Sequence, residues 1–239
     1  MVERFSGKVA FVTGGTGALG RVVSEALYTE GAALAITYIH DEQAASLPGP
    51  PKAEKTKLAL FKADVTDEEQ VKSAFRGTVE RFGTVDYLLN IAGGYLEKTP
   101  IEQLQLKDWE YMMNLNLKSA FLCTREALKI MRKKGSGRII NISAMAAISP
   151  SAGRGAYGIS KAAVVTLTKI AAEEVKGTDI TVNVIAPSVI VTEANVHSTP
   201  DADYSKWVKP EEVAGLITFL CSDEARSING ALIEVKGGF

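Results

Sequence analysis

Lys8-Val-Ala-Phe-Val-Thr13 runs without a break into Gly14-Gly-Thr-Gly-Ala-Leu-Gly20, and a helical pattern then continues through Glu30. The order of these pieces decides the fold. The first is an apolar run of the length of a buried strand, and the second is a glycine turn that opens a helix. Glycine tolerates positive φ and lets the backbone approach a pyrophosphate, whose charge is favoured by the free N–H groups and the dipole at a helix start. Placed after the first strand of an alternating pattern, the turn reads as a dinucleotide site rather than a plain tight turn.

The alternation continues outward from there. Ala33–Tyr38, Leu58–Ala63, Asp86–Ala92, Arg138–Ser143, Ile180–Ile185 and Ala231–Val235 read as strands, with helical patterns between most of them. There is no internal repeat or low-complexity tract, so the expectation is an α/β chain: a Rossmann-type, doubly wound parallel sheet of about seven strands in a single domain, residues 1–239. Thr66-Asp-Glu-Glu69 has the form of a capping box for a helix reaching about Phe82. A helical stretch is expected from about Ile101 to Met131, and another from Gly155 to about Lys176. Asn114 and Asn116 sit inside the former, where asparagine is unfavourable, which predicts a kink or a side chain bonding inward. Pro210 suits the first turn of a further helix. Pro48-Gly-Pro-Pro51 and the following Lys52-Ala-Glu-Lys55 read as a surface connection. Residues 187–209 have no clear period and are expected to form an irregular lid on the substrate side, at the carboxyl edge of the sheet.

Composition narrows the partner. With 46% apolar and 23% charged residues and a formal net charge of -1, the chain has material for a core but no basic run to displace counterions from nucleic acid or a membrane surface. A small-molecule substrate is therefore expected, with no nucleic acid and no membrane as partner. Cys123 and Cys221 lie in apolar helical contexts and read as buried thiols, which fits a reducing cytoplasm. The first residues lack a signal-peptide core, and no apolar run is long enough to span a bilayer. His40 and His197 are isolated, so no metal site is expected.

A second feature carries the chemistry. In Tyr157-Gly-Ile-Ser-Lys161 the phenol and the ammonium are four residues apart, one above the other on a helix, and can meet the same small molecule. A phenol has an unperturbed pKa of about 10 and an adjacent cation favours its anion, so the pair is expected to move toward acid–base work near neutral pH. At the end of the second strand, Tyr38, Ile39 and His40 provide neither the acid that binds an NAD ribose nor an arginine for the NADP phosphate. With no acid there to repel a phosphate, the balance falls toward NADP, with NAD still open.

Taken together, these motifs resemble the short-chain dehydrogenase/reductase family over nearly the whole chain. The resemblance rests on the glycine turn, Asp64 after strand three, Asn90-Ile-Ala-Gly93, Asn116-Leu-Lys-Ser-Ala-Phe121, Tyr157-x-x-x-Lys161 and Val182-Asn-Val-Ile-Ala-Pro187, in family order. It implies an NAD(P)-dependent oxidoreductase that assembles as a homo-oligomer, a dimer or tetramer. Tyr157 would be the proton donor, Lys161 would hold the nicotinamide ribose and Asn116 would position a water behind it. The cofactor contacts implied are Gly14, Thr16, Gly17, Ala18, Leu19, Gly20, Tyr38, Asp64, Val65, Asn90, Ala92, Gly93, Pro187 and Val189, together with Tyr157 and Lys161.

The departures are informative. The family's usual serine thirteen residues before the tyrosine is Ala144 here, and Ser143 stands one residue early. Neighbouring side chains on a strand point to opposite faces, so Ser143 replaces that hydroxyl only if the strand end is distorted. Ala18 and Ser188 replace glycines of the common pattern. The Gly14–Gly20 turn, Ala92-Gly-Gly-Tyr95, the missing serine and Pro200-Asp-Ala-Asp-Tyr-Ser-Lys-Trp207 are similar to dihydropteridine reductases. That resemblance implies hydride transfer to a planar conjugated acceptor such as a quinonoid dihydropterin. Two alternatives stand beside it. One is a carbonyl reductase of the 3-oxoacyl or small ketone/alcohol type, using Ser143 or Ser149 as the hydroxyl. The other is a catalytically weak nucleotide-binding regulatory protein. Within the lid, Trp207 is expected to anchor packing and Tyr204 to face the substrate.

Overall fold

The computed structural model describes residues 3–45 and 57–238; the 48–55 connection lies outside them. Seven parallel strands form one sheet in the order β3-β2-β1-β4-β5-β6-β7. They are β1 Val9–Thr13, β2 Ala33–Tyr38, β3 Leu58–Lys62, β4 Tyr87–Asn90, β5 Ser136–Ile142, β6 Asp179–Pro187 and β7 Leu232–Val235. The helices are α1 Ala18–Thr29, α2 Asp41–Ala45, α3 Glu68–Phe82, α4 Leu106–Met112, α5 Ser119–Lys134, α6 Gly155–Glu174, α7 Glu193–Ser198 and α8 Pro210–Cys221. All five residues of β1 and all four of β4 are buried, as central parallel strands covered on both faces must be.

Each face has its own core. On one, Val23 and Leu27 of α1 meet Val213, Ile217 and Leu220 of α8 over Val12 and Leu89. On the other, Val71 and Phe75 of α3 join Leu122 and Met131 of α5 over Phe11 and Ile139, with the Phe11 and Phe75 rings stacked 4.0 Å apart. The chain reverses its winding between β1 and β4, whose register pairs Thr13 with Asn90. The carboxyl ends of these strands open a crevice, the place where doubly wound sheets take ligands. Cys123 and Cys221 are free and buried, and burial raises both thiols well above their ordinary pKa.

Several local expectations need correction. Asp67 caps α3, not Thr66: its carboxylate accepts from the Gln70 amide, while the Thr66 hydroxyl donates to Asp64. The stretch expected as one helix from 101 to 131 divides into a 3-10 turn at Ile101–Gln103, α4, a π-helical segment at Met113–Lys118, and α5. Residues 187–209 are not irregular throughout. β6 runs through Pro187, Thr192 caps α7, a 3-10 turn spans Tyr204–Lys206, and a bridge joins Ile190 to Val208. Pro210 opens α8 as expected.

Candidate active site

At the carboxyl ends of β4, β5 and β6 a cleft of about 610 Å³ is lined by Tyr157, Lys161, Ala144, Gly93, Pro187 and Trp207, among others. Its floor depends on close backbone approach. Gly14 takes a φ of +63°, and a Cβ there would lie 2.9 Å from the Ala92 Cα, so only glycine permits the turn after β1 to touch the turn after β4. The Thr13 hydroxyl fastens the same two turns, accepting from the amides of Ile91 and Ala92 at 3.1 Å each. Gly17 begins α1 without a side-chain cap, so the first N–H groups of this helix remain available to an anion.

Asn116 explains the π-helical segment. Its side chain is 2% exposed; Oδ1 accepts from the Gly94 amide at 2.9 Å, and Nδ2 donates to the Gly94 carbonyl at 3.2 Å and to Ser160 Oγ at 3.0 Å. Ser160 in turn donates to the Tyr157 carbonyl at 2.8 Å. These bonds tie α6 to the strand-four loop, so of the two outcomes expected of this asparagine the inward bond occurs, and it sits in a π-helical widening of the helix. A Cβ at Gly93 would stand 2.8 Å from Asn116 Oδ1 and 3.1 Å from Lys161 Nζ, so the loop passes against both.

Lys161 is 5% exposed and its ammonium donates to the Ile142 carbonyl at 2.9 Å. Burial lowers its pKa to about 8. Tyr157 moves the other way from the expected direction: burial raises the phenol, only partly opposed by the positive charge of Arg154, and Tyr95 adds to the rise. The lysine is held by the strand instead of by the phenol, so it does not lower the tyrosine here. Tyr95 packs edge-on against Tyr157, centroids 5.3 Å apart.

The remaining expected site residues separate into groups. Leu19, Gly93, Pro187 and Val189 line the cleft. Ala18 and Gly20 lie in the first turn of α1, and Thr16 before it is buried with its hydroxyl 3.4 Å from Gln43. Tyr38 ends β2, Asp64 accepts from the Thr66 amide at 2.8 Å, and Val65 is buried; these belong to the far side of the crevice. Asn90 is not aimed into the cleft: its amide donates to Asn141 at 2.7 Å and Thr124 at 3.2 Å, binding β4 to β5 and α5. Ser143 lies at the cleft wall but is 1% exposed, and its hydroxyl is engaged in donating to the Lys161 carbonyl at 2.8 Å, which braces α6. In the segment after β6 the expected roles are exchanged. Tyr204 donates to the carbonyls of Thr199 and Pro200, whereas Trp207, edge-on to it, lines the cleft.

Sequence reasoning missed Thr13, Asn141, Ser160 and Arg154. Small polar residues within otherwise apolar strands, as at Asn141, were the available signal, since such groups are buried only when bonded. Among the described residues no group of three His, Cys, Asp or Glu side chains could hold a metal, and no helix is long and apolar enough to cross a membrane.

A family model described as Enoyl-(Acyl carrier protein) reductase matches residues 15–239. The chain is 35% identical to a short-chain type dehydrogenase/reductase of Picea abies, over 97% of this chain and 92% of the relative. It is 33% identical to a 3-oxoacyl-[acyl-carrier-protein] reductase of Synechocystis sp., over 97% and 96%. Among solved structures, ElxO with NADP bound is 29% identical with a TM-score of 0.89, covering 95% of this chain and 96% of its own. NAD+-bound xylitol dehydrogenase is 25% identical with a TM-score of 0.90, covering 98% and 100%.

Proposed function

We propose that this chain, which belongs to the short-chain dehydrogenase/reductase family and is an NAD(P)-dependent oxidoreductase of that type, reduces a planar conjugated acceptor, with a quinonoid dihydropterin as the model substrate. One observation carries the choice of acceptor. Ala144 presents a methyl group to the cleft, and the neighbouring Ser143 hydroxyl is bonded to α6. A simple ketone gathers developing charge on one oxygen, and losing one oxyanion donor costs on the order of 10²–10³ in rate. A conjugated ring spreads that charge and depends less on a dedicated hydroxyl. Tyr95, Met145 and Trp207 give the cleft flat or pliant apolar surface for such a ring.

The residues present fit a nicotinamide dinucleotide. The uncapped start of α1 and the close Gly14–Ala92 approach suit the pyrophosphate. When bound, the cofactor supplies the hydride. Tyr157, kept protonated by burial, gives the proton. Lys161 spends one of its three N–H groups on Ile142 and has the others for ribose hydroxyls. NADP is favoured over NAD, because Asp41, three residues beyond the end of β2, is paired with Lys62 at 2.6 Å. Exposed Leu106, Tyr111, Phe121, Ile159 and Ile170 on α4, α5 and α6 support a homo-oligomer, to be read as a sedimentation mass of two or four chains. Two free buried thiols suit the cytoplasm.

A second reading is a 3-oxoacyl or small-ketone reductase. Ser149 in the cleft wall favours it, as does the named activity of the Synechocystis relative. A silent nucleotide-binding regulator accounts less well for Tyr157 and Lys161 sharing one cleft. The test is a turnover screen with NADH and NADPH against quinonoid dihydropterin, quinones and simple ketones. Faster turnover of the conjugated acceptors is expected; preference for ketones would select the second reading, and no turnover at all the third.

A further inference from the structure

From the position of Arg154 in the cleft we infer that the acceptor carries an anionic substituent, of which a carboxylate is the simplest form, and that this guanidinium receives it. The inference rests on the reductase reading for its substrate but on independent residues for its site. Arg154 lies three positions before Tyr157, at the start of α6, and both line the same cleft. Its placement is fixed by the backbone. Gly153 takes a φ of +77°, its carbonyl accepts from the Thr99 amide at 2.8 Å, and Arg154 itself bridges to Thr99. The Arg154 carbonyl then accepts from the Gly158 amide at 2.7 Å in the first turn of α6. The side chain is held as well: the guanidinium lies 5.1 Å from the centre of the Tyr95 ring, the ring that packs against Tyr157.

What this cation lacks is an acid. The lining of the cleft contains no Asp or Glu, and none of the ion pairs among the described residues includes Arg154. The other cation of the lining, Lys161, donates to the Ile142 carbonyl, and its remaining N–H groups are assigned above to the ribose hydroxyls. A half-buried guanidinium oriented by an aromatic face and left without a carboxylate is a receptor for one, because its planar fork matches two carboxylate oxygens. Ser149 and Ser151 in the same wall can add hydroxyl donors. A neutral acceptor, whether a ketone or an unsubstituted dihydropterin, would leave the charge in the cleft unanswered, so the dihydropterin models the reacting ring and not the substituent that Arg154 receives.

The test compares 4-carboxybenzaldehyde with its methyl ester as acceptors, and benzoate with benzamide as ligands titrated into the protein with and without NADP+. The wild type should bind benzoate at least ten-fold more tightly than benzamide, with the difference shrinking as salt rises. Arg154→Gln should reduce the acid-to-ester ratio of kcat/KM at least ten-fold and abolish the benzoate preference, while Arg154→Lys keeps part of both. Equal wild-type affinity for benzoate and benzamide would overturn the inference even if the variants fail to fold, and so would an acid-to-ester ratio that Arg154→Gln leaves unmoved. Loss of benzoate binding in Arg154→Gln, together with no turnover of any acceptor by the wild type, would sink the reductase reading and leave the anion site standing.

Discussion

Ala144 is the residue on which the choice of acceptor turns. Restoring a hydroxyl with Ala144→Ser is expected to raise the rate on simple ketones at least ten-fold more than on conjugated acceptors. Parallel rate measurements check this, and an unchanged ratio would mean that ketone reduction is not limited by the missing donor. Lys161 sets the pH dependence. Its pKa is lowered to about 8 by burial, so the ammonium is present below that pH and is lost as pH rises through it. Tyr157, raised by burial, remains a phenol over the same range and adds no limb of its own there. Accordingly, kcat/KM for NADPH should hold below pH 8 and fall by up to about ten-fold per unit above it; a profile flat to pH 10 would place the titrating cation elsewhere. The Tyr-x-x-x-Lys spacing was legible in sequence because helical geometry is local. The direction of the tyrosine shift was not, because it depends first on how far the tertiary packing buries the phenol, while the lysine beside it is held by a carbonyl of β5.

At the scale of elements, strands were read well because central parallel strands are continuous apolar runs. Helix ends and the π-helical turn were not, since the widening at Met113–Lys118 follows from the contact of Asn116 with Gly94 and Ser160, a tertiary bond with only a misplaced asparagine as its trace. The segment between β6 and α8 failed for a related reason. Its order comes from Val189, Val191 and Val208 pairing across the loop, and from Tyr204 closing on the carbonyls at Thr199 and Pro200. Those bonds leave Trp207 in the cleft wall. We expect this segment to act as the lid, gaining protection from hydrogen exchange when cofactor and an acceptor analogue are both bound. Equal exchange of residues 190–206 in the free and ternary states would contradict that.

For the whole molecule, the switch in winding between β1 and β4 brings together residues far apart in the chain: Gly14 against Ala92, Gly93 against Asn116 and Lys161, and Arg154 beside Tyr95. The alternating pattern made the sheet readable, and the sheet made the crevice predictable. Which side chains enter the crevice was decided by packing around it, so Asn90 and Ser143 became struts. The proposed reaction is the transfer of a hydride in this crevice from a nicotinamide to an acceptor protonated by Tyr157. It is tested most directly by following NADPH absorbance after mixing with a conjugated acceptor, in the wild type and in Tyr157→Phe. Acceptor-dependent oxidation that falls by a factor of about 10² or more in the variant, with NADPH binding nearly unchanged, is the expected result; equal rates in the two proteins would contradict it.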